Sequence, residues 1–152
     1  MILIRKATLG DEKDILLLIK ELAVYEKEPD AVEITTEELR SHLFIEQICE
    51  AIVAVDNEIV IGFALYYTSY STWKGKCLYL EDLYIKAELR RSGVGKKLFQ
   101  RVAEVAQLKK VRRMEWQVYD WNQPAIDFYL KLDAQLNKTW LNGRLEFDYN
   151  VK

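Results

Sequence analysis

Two stretches of this chain hold residue types at spacings that can do chemistry. The first is Arg90-Arg91-Ser92-Gly93-Val94-Gly95-Lys96-Lys97. It joins a strand-like run, Cys77 to Ile85, to a run with helical apolar spacing at Val94, Leu98, Val102 and Val105 or Ala106. At such a junction, unpaired backbone N–H groups meet the positive end of a helix dipole, so it attracts anions. Glycines at alternate positions leave the backbone open to a pyrophosphate, and Arg90, Arg91, Lys96 and Lys97 surround it with positive charge. A plain structural turn would use the same glycines. A P-loop demands glycine at Arg90 and Ser or Thr at Lys97, and a dinucleotide-binding turn demands a small residue at Leu98, although Glu115 sits at a workable distance for its ribose acid.

The second stretch is Trp121-Asn122-Gln123-Pro124-Ala125-Ile126-Asp127-Phe128-Tyr129, which follows a strand and opens a short helix. Charge adds a third signal. Residues 21–38 hold seven acids against Lys27 alone, and residues 74–113 hold twelve Lys or Arg against Glu81, Asp82, Glu88 and Glu104. One reading is a site for a cation beside a site for a polyanion; the other is two solvated faces.

The elements that must position these residues follow from periodicity. Ile2 to Lys6 reads as a strand, and Ile15, Leu18, Ile19 and Leu22 mark a helix from Asp11 to about Tyr25. Pro29 breaks that pattern, and Thr35 or Thr36 caps a second helix carrying Leu39, Leu43 and Phe44. Glu50 to Val55 and Glu58 to Tyr67 are strands joined at Asp56-Asn57, residues that tolerate positive φ in a tight hairpin turn. Met114 to Tyr119 returns as a strand, Ala125 to Leu132 as a helix behind Pro124, and Trp140 to Val151 as a strand pair turning at Asn142-Gly143. The sum is an α/β fold with a mixed sheet and a parallel, right-handed crossover between Cys77 and Tyr119. At 152 residues the chain reads as one domain, 1–152.

Several classes are set aside at this level. No apolar run approaches the roughly 20 residues of a membrane helix. The N-terminal Met1-Ile2-Leu3-Ile4-Arg5 lacks the features of a secretory signal, so the expected location is cytoplasmic. His42 is the only histidine and has no Cys or His neighbour, which argues against a histidine-based metal site or a Ser-His-Asp hydrolase. Cys49 and Cys77 read as buried free thiols, and Trp73, Trp116, Trp121 and Trp140 as core or cleft walls. Nucleic-acid binding is disfavoured, because the basic stretch lacks interleaved aromatics and the chain carries a net charge of −2.

Arg-x-x-Gly-x-Gly at Arg90 to Gly95, with Asn122-x-Pro124-Ala125 followed by Phe128-Tyr129, resembles the GNAT family of N-acetyltransferases. The likeness runs from Ile4 to about Tyr149. Glu21-Leu22-Ala23-Val24-Tyr25-Glu26 and Leu78-Tyr79-Leu80-Glu81-Asp82-Leu83 are similar to its spermidine/spermine (diamine) branch. The resemblance implies a mixed, mostly antiparallel sheet with splayed central strands flanked by helices, acetyl-coenzyme A as co-substrate, and a homodimer. It implies that the backbone of Leu83, Tyr84 and Ile85 holds the pantetheine arm. Arg90, Arg91, Ser92, Gly93, Val94, Gly95 and Lys96 then cradle the pyrophosphate, and Asn122, Gln123, Pro124 and Ala125 contact the coenzyme. Tyr129 matches the general acid, and Tyr25, Glu26, Glu81 and Asp82 match positions facing the amine. Three departures stand out: Arg91 and Ser92 replace a glycine-rich start of the loop, the connection between the second and third strands is cut to a tight turn, and Asp133 replaces a glycine.

Residue chemistry agrees with these roles. An alkylammonium of pKa ~10.4 must lose a proton before attacking a thioester, and Glu81 can accept it directly or through water. The leaving thiolate, of pKa about 8.5, must be reprotonated, and a phenol such as Tyr129, of pKa about 10, suits that task. Backbone N–H groups of the splayed strand would stabilise the oxyanion, so no covalent enzyme intermediate is required. The expected function is acetyl transfer from acetyl-coenzyme A to a primary amine: a polyamine, a diamine or a lysine-like small molecule. The alternatives are a protein lysine or N-terminal acetyltransferase, and a catalytically inactive coenzyme-binding regulatory module.

Overall fold

In the computed structural model, which describes residues 1–149, the alternating N-terminal run forms β1 (Ile2–Lys6) and pairs antiparallel with β2 (Glu50–Asp56). β2 turns back into β3 (Ile59–Ser71), and β3 into β4 (Gly75–Ile85), both antiparallel. After β4 the chain crosses through α3 (Val94–Leu108) to β5 (Met114–Glu115), which lies parallel to β4. Among the described residues the sheet therefore runs β1-β2-β3-β4-β5, mixed and mostly antiparallel as expected.

Both faces of the sheet are covered, which is why its inner strands read as nearly continuous apolar runs. Along β2 alternate residues serve opposite faces. Ala51, Val53 and Val55 join the layer holding Ile15, Leu16 and Leu18 of α1 (Glu12–Tyr25) and Leu39 of α2 (Thr36–Arg40). Ile52 and Ala54 join the layer holding Val94, Leu98, Val102 and Ala106, the apolar stripe of α3. Each valine, leucine or isoleucine among them contributes roughly 1.5–3 kcal/mol when fully buried, so the two layers fix α1 and α3 against the sheet. Thr35 caps α2, its hydroxyl accepting from the Glu38 N–H at 3.1 Å. A π-helical turn, Ser41–Ile45, continues it and carries Leu43 into the core.

Local boundaries differ from expectation in instructive ways. The β2–β3 turn sits on Asn57 (φ 48) and Glu58 (φ 69), one residue later than expected. A two-residue type I′ turn needs positive φ at both positions, and Asp56 stays in register opposite Ile59. The strand expected over Met114 to Tyr119 pairs only at Met114 and Glu115. Trp73, expected as a wall, is 85% exposed beside the β3–β4 turn.

The described residues fall into two compact units, Met1–Gln117 with the sheet and α1 to α3, and a second beginning at Val118. The second holds α4 (Gln123–Leu130), which starts two residues before the expected Ala125, because Pro124 is tolerated in a first turn where its missing N–H has no intrahelical partner. The strand pair expected over Trp140 to Val151 is not formed in its described part, and its end lies outside the described residues. The unit contains no described strand to pair with, and a lone hairpin is marginal in water. Trp140, Leu141, Leu145, Phe147 and Tyr149 accordingly remain exposed, so Trp140 is no core residue. No helix among the described residues is long and apolar enough to cross a membrane.

Candidate active site

The predicted phosphate-binding turn lies between β4 and α3. A short 3-10 turn, Ala87–Leu89, leads into it, and Arg91 (φ 66) and Gly93 (φ 87) both adopt left-handed backbone. Gly93 is the N-cap of α3 and no side chain caps that helix. A Cβ built on Gly93 meets nothing within 4 Å, so glycine is needed there for its dihedral rather than for room inside the protein. The side chain of Ser92 is turned back, its hydroxyl donating to the Leu89 carbonyl. Arg91, Lys96 and Lys97 are exposed around the helix start. A 15-residue helix with an uncapped, open N-terminus and flanking cations fits a diphosphate.

Arg90 is directed elsewhere. Its Nε donates to the Ile85 carbonyl at 3.4 Å, and its guanidinium carbon lies 4.6 Å from the Tyr25 ring centroid and 5.3 Å from that of Tyr84. Tyr25 is the last residue of α1, and Tyr84 is buried near the end of β4.

β4 changes character along its length. Its first half has partners on both sides: the Leu78 N–H donates to the Arg113 carbonyl at 3.0 Å, and Leu78 and Tyr79 stand beside Met114 and Glu115. From Leu80 to Ile85 it keeps β3 on one side and has no described strand on the other. Leu83, Tyr84 and Ile85 lie in this one-sided stretch, where an extended ligand can add as a strand.

A β-bulge interrupts the same stretch. Leu80 faces Tyr66 and Asp82 faces Leu65, leaving Glu81 as the extra residue on β4. Such bulges re-aim side chains. Glu81 is exposed and Asp82 half-buried. Burial, followed by the charges of Glu81 and Glu26, pushes the Asp82 carboxyl up to about 7. Glu26, the C-cap of α1, is raised by burial and then by Glu81. The Tyr67 and Tyr79 rings stand 5.3 Å apart beside these acids. Burial and then Glu81 raise the Tyr67 phenol, and the same two causes, with smaller contributions from Tyr67, Glu115 and Asp82, push Tyr79 up to about 12. The structure thus brings Glu26, Glu81 and Asp82 together. Of the seven acids between Glu21 and Glu38, Glu26 is the one whose charge acts on Asp82. The Tyr67–Tyr79 pair was not singled out from the sequence, because it depends on the β3–β4 register.

In the second unit, the Asn122 side chain caps α4 by accepting from the Ala125 N–H at 3.3 Å, and Gln123 Nε2 donates to Asp127 Oδ1 at 2.7 Å. Asn122 and Tyr129 are both buried, and Tyr129 meets Phe128 edge to face, centroids 5.2 Å apart. The Asn-x-Pro-Ala sequence therefore organises the start of the helix that carries Tyr129. A separate cavity of about 420 Å³ beside Lys6, Phe44, Gln47 and Lys109 contains none of the expected site residues, and its Glu50 is ion-paired with both lysines.

Residues 16–134 match the family model described as the Acetyltransferase (GNAT) family. A thialysine N-epsilon-acetyltransferase of Bos taurus is 44% identical over 143 residues, covering 88% of this chain and 84% of that protein. A spermidine/spermine N(1)-acetyltransferase-like protein 1 of Homo sapiens is 34% identical over 148 residues, 90% of this chain and 21% of that longer protein. Among solved structures, an integron cassette protein from the mobile metagenome of V. cholerae shares the fold with a TM-score of 0.78 at 24% identity, over 97% of this chain and 93% of that one. An uncapped helix start flanked by cations, a β4 edge open to an extended ligand and a match over most of its length agree: the chain belongs to the GNAT family, as an acetyl-coenzyme A-dependent N-acetyltransferase similar to the diamine branch.

Proposed function

We propose that the acceptor is a small-molecule amine carrying a second cationic group: a polyamine, a diamine or a lysine-like amino acid. The observation that carries this is the convergence of Glu26, Glu81 and Asp82 at the bulge of β4, beside the strand edge open to the coenzyme. The names of the relatives point the same way, covering thialysine, spermidine/spermine and ornithine acetyltransferases.

Acetyl-coenzyme A supplies the activated acetyl thioester. Residues 91–96 hold its pyrophosphate through loop and helix N–H groups, and the backbone of Leu83, Tyr84 and Ile85 holds its extended arm. Glu81, turned outward by the bulge, and Glu26 attract the acceptor's ammonium groups. A carboxyl that titrates near neutrality suits a general base, so Asp82 takes the nitrogen proton beside Glu81, which the sequence nominated for that task. Tyr129 Oη holds the proton returned to the departing sulfur. Asn122 to Ala125 set the start of the helix bearing it and contact the coenzyme. The chain acts as one N-acetyltransferase domain, in the cytoplasm, and as a homodimer; the run of exposed apolar side chains from Trp140 to Tyr149 supports a self-association surface.

The test is thiol release from acetyl-coenzyme A across a panel of spermidine, putrescine, ornithine, thialysine, monoamines and lysine-bearing or free N-terminal peptides. Preference for the doubly charged small amines is expected. Preference for peptides would replace this reading with protein acetylation, and no release with any amine would leave a coenzyme-binding module. Light scattering checks the dimer.

A further inference from the structure

We infer that Arg90 is a positioning residue for the amine pocket, fastening the end of α1 to the open end of β4 so that Tyr25 and Glu26 are held over the acceptor. This rests on the reading that those two residues face the amine. Arg90 opens the sequence that looks like a phosphate cradle, yet its guanidinium is committed on three sides: to the Ile85 carbonyl, to the face of Tyr25 and to the face of Tyr84. Arginine suits this place because a planar cation stacks on two rings while its N–H groups donate sideways.

A second observation supports the assignment from the helix side. The last turn of α1 contains no basic residue, so nothing within the helix answers the negative end of its dipole. Arg90, against the ring of Tyr25, is a cation beside the last residue of that helix. Beyond Glu26 the backbone leaves the helix through Lys27 at φ 66, so the C-cap that carries Glu26 lies between a reversal of the chain and the Arg90 stack. Glu26 is raised by burial and then by the charge of Glu81, and its own charge in turn raises Asp82. Loss of the stack frees the helix end, and the pocket loses the fixed position of one of its carboxylates.

The test compares Arg90→Lys, Arg90→Ala, Tyr25→Leu and the Arg90→Ala/Tyr25→Leu pair, by steady-state kinetics with a diamine at saturating acetyl-coenzyme A and by calorimetry with coenzyme A. Arg90→Lys keeps the charge and loses the planar stack. It should raise the diamine KM about fivefold, the scale of a pair of exposed cation–π contacts, while coenzyme affinity and kcat stay within about twofold. Tyr25→Leu should raise the diamine KM at least as much, since it also removes the ring that faces the amine, and adding Arg90→Ala to it should change that KM little further, so the double variant is no worse than the worse single one. An unchanged diamine KM in Arg90→Lys overturns the inference. So does a coenzyme affinity lowered tenfold or more in Arg90→Ala with diamine KM unchanged, or singles whose effects multiply. If the wild type acetylates no amine, the functional reading fails, and ¹³C-labelled tyrosine decides the inference: the Tyr25 ring signal shifts in Arg90→Lys if the stack is real and stays if it is not.

Discussion

Gly62 faces Ile85 across the β3–β4 ladder so closely that a Cβ on Gly62 would lie 2.6 Å from Ile85 Cδ1 and 3.0 Å from the Tyr84 carbonyl oxygen. The Ile85 methyl can rotate away, but the carbonyl belongs to the backbone and moves only with β4. Gly62→Ala should therefore cost about 1–3 kcal/mol in urea unfolding and also weaken coenzyme A binding, because the displaced backbone is the stretch assigned to the pantetheine arm. Calorimetry showing normal coenzyme affinity in a destabilised variant would separate that stretch from coenzyme binding.

Asp82 sets a pH dependence. Its folded-state value is raised to about 7 from an ordinary carboxylate value near 4, so the native state binds the extra proton between those limits. Its contribution to stability is complete below about pH 4 and is lost as pH rises through 7. Asp82→Asn should flatten the fall in urea midpoint over that window. In catalysis, kcat/KM should rise through an apparent pKa near 7 set by Asp82 under the charges of Glu81 and Glu26, and the asparagine variant should lose that limb with a drop of about 100-fold or more. A limb that survives unchanged would assign the proton to another acceptor.

Tyr129→Phe tests the general acid. Acid catalysis is typically worth ~100 to 10,000-fold, so kcat should fall within that range while the KM for acetyl-coenzyme A changes little. The lost hydroxyl belongs to a buried side chain already packed on Phe128, so the fold should persist by near-ultraviolet circular dichroism. A loss of less than about tenfold would mean that water or another group returns the proton.

Glu26→Gln tests the anchor for the second cation. It should raise KM for diamines several-fold, leave a monoamine of similar length nearly unchanged, and weaken the salt dependence of diamine turnover. Equal effects on both amines would reduce Glu26 to a solvated surface charge.

What was legible in the sequence is what depends on neighbours along the chain. The α3 positions Val94, Leu98, Val102 and Ala106 are buried as their spacing requires, and Thr35 caps α2 as its hydroxyl allows. The turn from β4 into α3 was legible too, since glycines, cations and a helix start are contiguous there. What was hidden depends on pairing between strands. The bulge at Glu81 comes from the offset between Leu65 and Tyr66 on β3, which no pattern within β4 reveals. The shortness of β5 follows from where it leaves β4, not from Met114 to Tyr119 themselves, and the direction of Arg90 depends on two tyrosines distant in sequence.

The two halves of β4 also divide the sheet into regions of unequal local stability. The Leu78 amide is covered by the Arg113 carbonyl and exchanges only when that side of the sheet opens, whereas amides from Leu80 to Ile85 that point away from β3 have no described strand partner and exchange through much smaller openings. A ligand lying along that edge supplies the missing partner, so its binding energy is also local folding energy. On binding, that segment gains on its open side the kind of partner that Leu78 and Tyr79 already have in β5.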